Sequence, residues 1–130
     1  MFAATALPTL QYTPTVVAAM SRPGLHRKAR LLAGAIEAIA PQFGLSGDRL
    51  VERGRDSDVD GMRRAFMAAA QQVGFPIGAV AVAFGNRTKS TVSKLVAPHD
   101  EFLVLYSDYA ERYYAVYDAL AEYVAHTYSA

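Results

Sequence analysis

The sequence predicts an all-α protein, and two observations support that fold class. In several segments, apolar residues recur every three or four positions with polar residues between them, as in amphipathic helices. No useful length of chain alternates with a period of two, apart from an ambiguous apolar run over residues 79–84. We therefore expect a helical bundle that contains a helix-turn-helix and ends in a long amphipathic C-terminal helix.

The chain divides into three parts by composition and periodicity. Its 130 residues are enough for one domain with a real hydrophobic core. Residues 1–22 lack periodicity and are rich in Thr, Pro and Ala, so we expect a flexible N-terminal tail. Residues 23–97 should form the helical domain, and residues 98–130 an aromatic helix that packs on the domain or on a partner.

Two helices are predicted in the first half of the domain. A stripe that includes Leu25, Leu32 and Ile36 predicts a helix from about Leu25 to Ala40, and the start of this helix is basic. Pro41 should end it. Ser46 is a suitable N-cap for a short second helix that continues to about Arg53.

The next helix has the most regular pattern in the chain. The alternating charges from Arg53 to Asp60 predict a loop, in which Asp58 or Asp60 caps the following helix. That helix should extend from about Gly61 to Val73, with an apolar stripe on one side. Arg63 and Arg64 fall on the other side and are expected to be exposed.

The segment from Phe84 to Lys94 is typical of a helix-turn-helix. A short apolar helix (residues 77–84) leads into a glycine turn, and a second helix opens with Thr88. At 100° per residue, one arc of the second helix carries four polar side chains, those of Lys89, Ser90, Ser93 and Lys94. The other side carries Val92 and Leu95, so one face can pack on a core while the other enters a DNA major groove.

The C-terminal segment is rich in tyrosine, with seven of the eight tyrosines between Tyr106 and Tyr128. Near-heptad spacing predicts one long helix from about His99 to Tyr128. Its stripe either completes the core or forms a surface for a homodimer or protein partner. The candidate surface residues are Tyr106, Tyr109, Tyr113, Val116, Tyr117 and Leu120.

Charge is unevenly distributed, although the net charge is only +1. Residues 1–42 and 43–96 each sum to +3, and residues 97–130 sum to −5, which favours contact between nucleic acid and the first two regions. The chain has no cysteine, so disulfides and thiolate metal sites are excluded and a reducing, cytoplasmic location is expected. The uncharged stretch Met1–Met20 is interrupted by two prolines, and we predict neither a signal peptide nor a membrane span.

Residues from about Leu32 to Val96 resemble the C-terminal DNA-binding domain of the bacterial replication initiator DnaA. The string Ala83-Phe84-Gly85-Asn86-Arg87-Thr88-Lys89-Ser90-Thr91-Val92 is similar to the family signature Ala-Phe-Gly-Gly-Arg-Asp-His-Thr/Ser-Thr-Val. Phe43-Gly44-Leu45 with Leu50-Val51 is similar to the family's entry motif, and Arg53-Gly54-Arg55 to its basic loop. The resemblance implies a Trp-repressor-like helix-turn-helix that binds duplex DNA.

The same resemblance implies roles for individual residues. Arg55 would enter the minor groove, and Thr88, Lys89 and Ser90 would read bases. Phosphate contacts would come from Arg63, Arg64 and Thr91, and Arg87 would support the turn or contact a phosphate. The full predicted DNA-binding set is Arg53, Arg55, Arg63, Arg64, Asn86, Arg87, Thr88, Lys89, Ser90, Thr91 and Lys94. The family's Asp-His pair is replaced by Thr88-Lys89, so a different target site is expected, and Lys89 suits donation to guanine O6 and N7.

These patterns predict a duplex-DNA-binding regulator of transcription or of a phage or mobile element. The alternatives are a helical protein–protein interaction module and a DNA-packaging or replication accessory protein with weak DNA contact. The chain has no P-loop motif, no catalytic constellation and no histidine with a ligand partner at metal spacing, so we expect no enzyme activity, cofactor or metal. Residues 56–61 imitate the start of a calcium-binding EF-hand loop, but the twelfth position is Met67 instead of glutamate.

Overall fold

The computed structural model describes residues 24–52 and 57–129, and over these ranges it confirms the all-α class, with no strand. The helices are α1 (Leu25–Ile39), α2 (Gly47–Val51), α3 (Ser57–Val73), α4 (Ile77–Ala83), α5 (Lys89–Val96), α6 (His99–Leu105) and α7 (Ser107–Ser129), and a 3₁₀ turn (Ala40–Phe43) follows α1. The predicted N-terminal tail and the basic-loop residues Arg53 and Arg55 lie outside the described ranges.

The helix boundaries in the first half agree with the sequence pattern except at α3. Ser46 caps α2, because its Oγ accepts a hydrogen bond from the Arg49 backbone N–H at 3.0 Å. Helix α3 begins at Ser57, one turn before the predicted start, so Asp58 and Asp60 lie within the helix and not at the position before it. The carboxylate of Asp60 instead pairs with a side chain one turn further along the same helix.

Helix α3 is at the centre of the core. Ala65, Ala69 and Ala70 are fully buried, and so are Phe66 and Met67. Small side chains allow a neighbouring helix to approach closely, and α3 packs most extensively against α7. One cluster of buried apolar residues includes members of α1 to α5 and α7, so a single core holds these helices together.

The predicted continuous C-terminal helix is wrong, because the chain bends at Tyr106. This residue has extended backbone angles (φ −125°, ψ 104°) between α6 and α7. The rings of His99 and Tyr113 lie only 4.4 Å apart between centroids. In a straight helix a separation of fourteen residues corresponds to about 21 Å of rise. The bend therefore folds α6 back against α7 and α3.

The tyrosine stripe is part of the chain's own core. Tyr109, Tyr113, Val116, Tyr117 and Leu120 are each at most 8% exposed within the monomer. These five residues were candidates for a dimer or partner surface, and the structure corrects that expectation. The stripe packs on the domain because α7 lies along α3, where its tyrosines bury their rings.

Apolar exposure is instead concentrated at the bend. Val104, Leu105 and Tyr106 are consecutive and have exposed fractions of 84%, 59% and 52%. Tyr106 is thus the one member of the predicted partner surface that is exposed.

Arg63 is buried, contrary to the expectation that it is exposed and contacts a phosphate. Only 1% of its surface is accessible. Its guanidinium pairs with Asp60 at 2.8 Å and donates to the backbone carbonyl oxygens of Leu50 (2.7 Å), Arg49 (3.2 Å) and Glu52 (2.8 Å). These carbonyls lie at the end of α2 and have no partner within that short helix. Arg63 therefore joins α3 to α2 and leaves the predicted DNA-binding set.

A histidine–tyrosine cluster holds α6 against α7. His99 Nδ1 lies 2.6 Å from the Tyr109 hydroxyl, and the His99 ring packs against the Tyr113 ring. Burial lowers the pKa of His99 below its usual value; neighbouring Asp100 opposes this effect and Arg64 adds to it. Burial also raises the pKa of Tyr109, and it raises that of Tyr113 to about 12. At neutral pH the cluster is therefore uncharged.

We expect Arg63→Ala to destabilise the fold by about 3–5 kcal/mol, because it leaves Asp60 and three backbone carbonyls without their buried partner. Chemical denaturation monitored by circular dichroism measures this loss. The matched control is Arg112→Ala, which removes an exposed arginine of α7 and should change stability by no more than about 0.5 kcal/mol. Equal effects of the two substitutions would contradict the structural role of Arg63.

We expect acid to weaken the fold through His99. Because its pKa is lower in the folded chain than in the unfolded chain, the unfolded state binds more protons between the two values. The free energy of unfolding should thus be fully retained above the unfolded pKa of about 6.5 and should fall as the pH decreases through it. Urea titrations between neutral and mildly acidic pH test this. His99→Gln should flatten the profile, whereas His126→Gln, at an exposed position, should leave it unchanged.

Candidate nucleic-acid interface

The turn between α4 and α5 has the backbone geometry of a sharp helix-to-helix connection. Gly85 and Asn86 both have positive φ angles, of 87° and 59°. The amide of Asn86 bonds to the Val82 carbonyl at 3.2 Å, and the amide of Arg87 bonds to the Ala81 carbonyl at 2.9 Å. Asn86 occupies the position where the resembled family signature has its second glycine, and asparagine is one of the few other residues that tolerate this conformation.

Gly85 is packed too tightly against α2 to carry a side chain. A Cβ atom at this position would lie 2.9 Å from the carbonyl oxygen of Val51. Glycine is therefore required here both for its positive φ and for the close approach of the two backbones. The contact sets the position of the turn relative to the end of α2.

Arg87 also connects this turn to the end of α2. Its Nε donates to the Phe84 carbonyl at 2.9 Å, and its Nη2 donates to the Glu52 carbonyl at 2.9 Å. The resemblance allows Arg87 either to support the turn or to contact a phosphate. These hydrogen bonds show that it supports the turn.

Helix α5 begins with a side-chain cap. The Thr88 Oγ1 accepts a hydrogen bond from the Thr91 amide at 3.0 Å, and the two threonine hydroxyls lie 2.9 Å apart. Thr91 is half-buried and part of the cap, which limits its availability as a phosphate contact. The exposed Thr88 stands at the entrance to the helix.

The two faces of α5 are as the sequence predicts. Val92 is fully buried, and Leu95 is partly buried against the core. The predicted polar arc is exposed along its whole length, with the side chains of Lys89, Ser90, Ser93 and Lys94. This face measures two turns of helix and offers ammonium groups and hydroxyls, the donors that bind phosphates and base edges.

Arg64 holds the C-terminal end of α5. Its Nε donates to the Leu95 carbonyl at 2.7 Å, and its guanidinium carbon lies 4.6 Å from the centroid of the Phe102 ring. Half-buried Arg64 therefore connects α3, α5 and α6, and a phosphate contact is not its main role in the structure.

The stretch of sequence that contains α4 and α5 has no acidic residue. Between Asp60 and Asp100 the chain contains no Asp or Glu, while it contains Arg63, Arg64, Arg87, Lys89 and Lys94. Of these cations, Lys89 and Lys94 are exposed on α5, and exposed positive charges attract a polyanion. The sequence predicted the polar face of α5 and the capping threonine, but it did not reveal the anchoring of the turn on α2, because no local pattern encodes that long-range contact.

The parts of the chain that the structure describes contain no cluster of three His, Asp or Glu side chains suited to a metal ion. None of the helices in the same parts has the length and apolar character needed to cross a membrane. No known protein family, curated protein or solved structure matches the chain. The resemblance to the initiator's DNA-binding domain therefore rests on the residues named above.

We expect Gly85→Ala to be more damaging than Gly44→Ala. Both glycines have a positive φ, 87° and 79°, so both substitutions carry the strain of a left-handed alanine, about 1–2 kcal/mol. Only at Gly85 does the added Cβ also collide with a backbone oxygen, whereas nothing lies within 4 Å of a Cβ at Gly44. Thermal unfolding of the two variants measures the difference, and equal losses would contradict the close approach of the turn to α2.

Proposed function

We propose that this chain is a duplex-DNA-binding protein that places α5 in the major groove and acts as a sequence-selective regulator of transcription or of a phage or mobile element. The observation that carries the proposal is the exposed polar face of α5, backed by buried Val92 and held at both ends. A rigid, amphipathic helix with donors on its outer face is the element that major-groove readers use.

Within this proposal, the side chains of α5 divide by position. Thr88 and Ser90 stand at the N-terminal end, which is the part of a recognition helix that reaches base edges in helix-turn-helix proteins. Lys94 lies one turn further along and contacts the phosphate backbone. The DnaA-like string over residues 83–92 supports the same docking, and the departures Thr88 and Lys89 imply a target other than the initiator's own.

A helical protein–protein interaction module is the second candidate function, and one observation favours it. The exposed apolar run Val104–Tyr106 is flanked by the exposed carboxylates of Glu101 and Asp108. Apolar surface with an acidic rim suits a partner segment that carries apolar and basic side chains. DNA binding is the better supported of the two, because it accounts for the form of the turn, the threonine cap and the exposed lysines of α5 together.

We expect Ser90→Glu to weaken DNA binding at least about tenfold, because it brings a carboxylate against phosphates and base acceptors. The measurement is fluorescence anisotropy of a labelled duplex at low salt. Ser107→Glu is the matched control: it introduces the same change at an exposed position in the first turn of another helix, α7, and should leave DNA affinity unchanged.

A wild-type chain that binds no duplex at micromolar concentration and low salt would overturn the proposed function and favour the interaction module. Sequence selectivity is tested separately, by selecting bound duplexes from a randomised library. Enrichment of a common motif is expected, whereas binding without any enrichment would reduce the proposal to non-specific DNA binding.

A further inference from the structure

A small patch on the first turn of α4 brings together side chains from α1 and α5. Gly78 is buried there and has no side chain of its own. A Cβ atom at Gly78 would lie 3.1 Å from Leu25 Cδ1 and 3.4 Å from Lys89 Cε. The apolar stem of Lys89 therefore lies back over α4 beside Leu25, on the side of α5 that faces the start of α1.

The start of α1 is cationic on the side that adjoins this patch. Lys28 follows Leu25 by three positions, which places the two side chains next to each other on the helix surface. Lys28 is half-buried, as expected for a lysine whose stem packs while its ammonium remains in water. His26 and Arg27 in the same turn are exposed.

No carboxylate of the described chain opposes these cations from within the three helices. The first turns of α1, α4 and α5 contain no acidic residue, and α1 has none before Glu37. Among the described residues, no ion pair neutralises the charge of Lys28 or Lys89.

We propose that Lys28 and Lys89 form a phosphate clamp, in which α1 and α5 bind the same segment of one DNA strand at the edge of the major groove. This inference rests on the proposed function and deepens it, because it assigns α1 to the interface and makes Lys89 a phosphate contact instead of a base reader. The clamp is argued from packing: Leu25 and Lys89 both lie against the surface of α4 at Gly78, and Lys28 is one turn from Leu25 on α1.

The test compares lysine-to-methionine variants, because methionine retains the apolar stem and removes the charge. Lys28→Met and Lys89→Met should each reduce the slope of log affinity against log salt by about 0.9, the value for one lost phosphate contact. Each should weaken binding equally on a selected duplex and on a scrambled duplex. Arg112→Met, which removes an exposed positive charge on α7, should leave the slope unchanged.

A second measurement locates the clamp on the DNA. Duplexes with one phosphate replaced by a neutral methylphosphonate are scanned along each strand. At a few neighbouring phosphates, the replacement should weaken DNA binding by the wild-type chain. The same replacement should have little further effect on the affinity of either lysine variant. The phosphates whose replacement no longer changes the affinity of Lys28→Met should be the same as those for Lys89→Met.

Any of three outcomes would overturn the clamp while the proposed function stands. Lys28→Met could keep the salt dependence of the wild type, or Lys89→Met could lose affinity for the selected duplex alone. The phosphates that respond to methylphosphonate replacement could also differ between the two variants. Failure of the wild-type chain to bind any duplex would instead overturn the proposed function itself. Circular dichroism melts of both variants should match the wild type, which shows that the loss of affinity does not come from unfolding.

Discussion

The backbone carbonyl of Glu52, at the end of α2, is the point on which the arrangement of the helices depends. It accepts hydrogen bonds from two guanidinium groups, that of Arg63 on α3 at 2.8 Å and that of Arg87 in the turn before α5 at 2.9 Å. Neighbouring Val51 offers its carbonyl to the close approach of Gly85. A short helix cannot satisfy its last carbonyls internally, and here arginines from two distant parts of the chain satisfy them. The central helix α3 and the turn between α4 and α5 are thereby positioned against one reference point.

The features that follow from local periodicity could be predicted from the sequence, and those that follow from long-range contact could not. The two faces of α5 and the cap at Thr88 depend on neighbours three and four residues apart, so the pattern contains them. The burial of Arg63 could not be read in this way. An arginine among polar residues on a helix normally faces water. Asp60 provides one acceptor from the same helix, and the approach of α2 adds three backbone carbonyls that the sequence pattern does not reveal.

The bend at Tyr106 shows a second limit of periodicity. Phe102, Tyr106, Tyr109 and Tyr113 continue the same near-heptad spacing across the break, so the pattern alone predicts one helix. The bend instead brings the ring centroids of Phe102 and Tyr109 to within 5.7 Å, and it packs the His99 ring against the Tyr113 ring. It also places the Phe102 ring beside the Arg64 guanidinium. These aromatic pairs between α6 and α7 replace the packing that a straight helix would have to find on another molecule. This is why a stripe that suggested a dimer surface is internal.

Helix α5 is fixed at both ends, by the turn that Arg87 holds at its start and by Arg64 at the Leu95 carbonyl. An element held in this way needs no ordering when a ligand arrives, so association loses little conformational entropy beyond that of the long surface side chains. The heat-capacity change on complex formation would then reflect the apolar and polar surface removed from water at the contact, without a contribution from coupled folding of the helix.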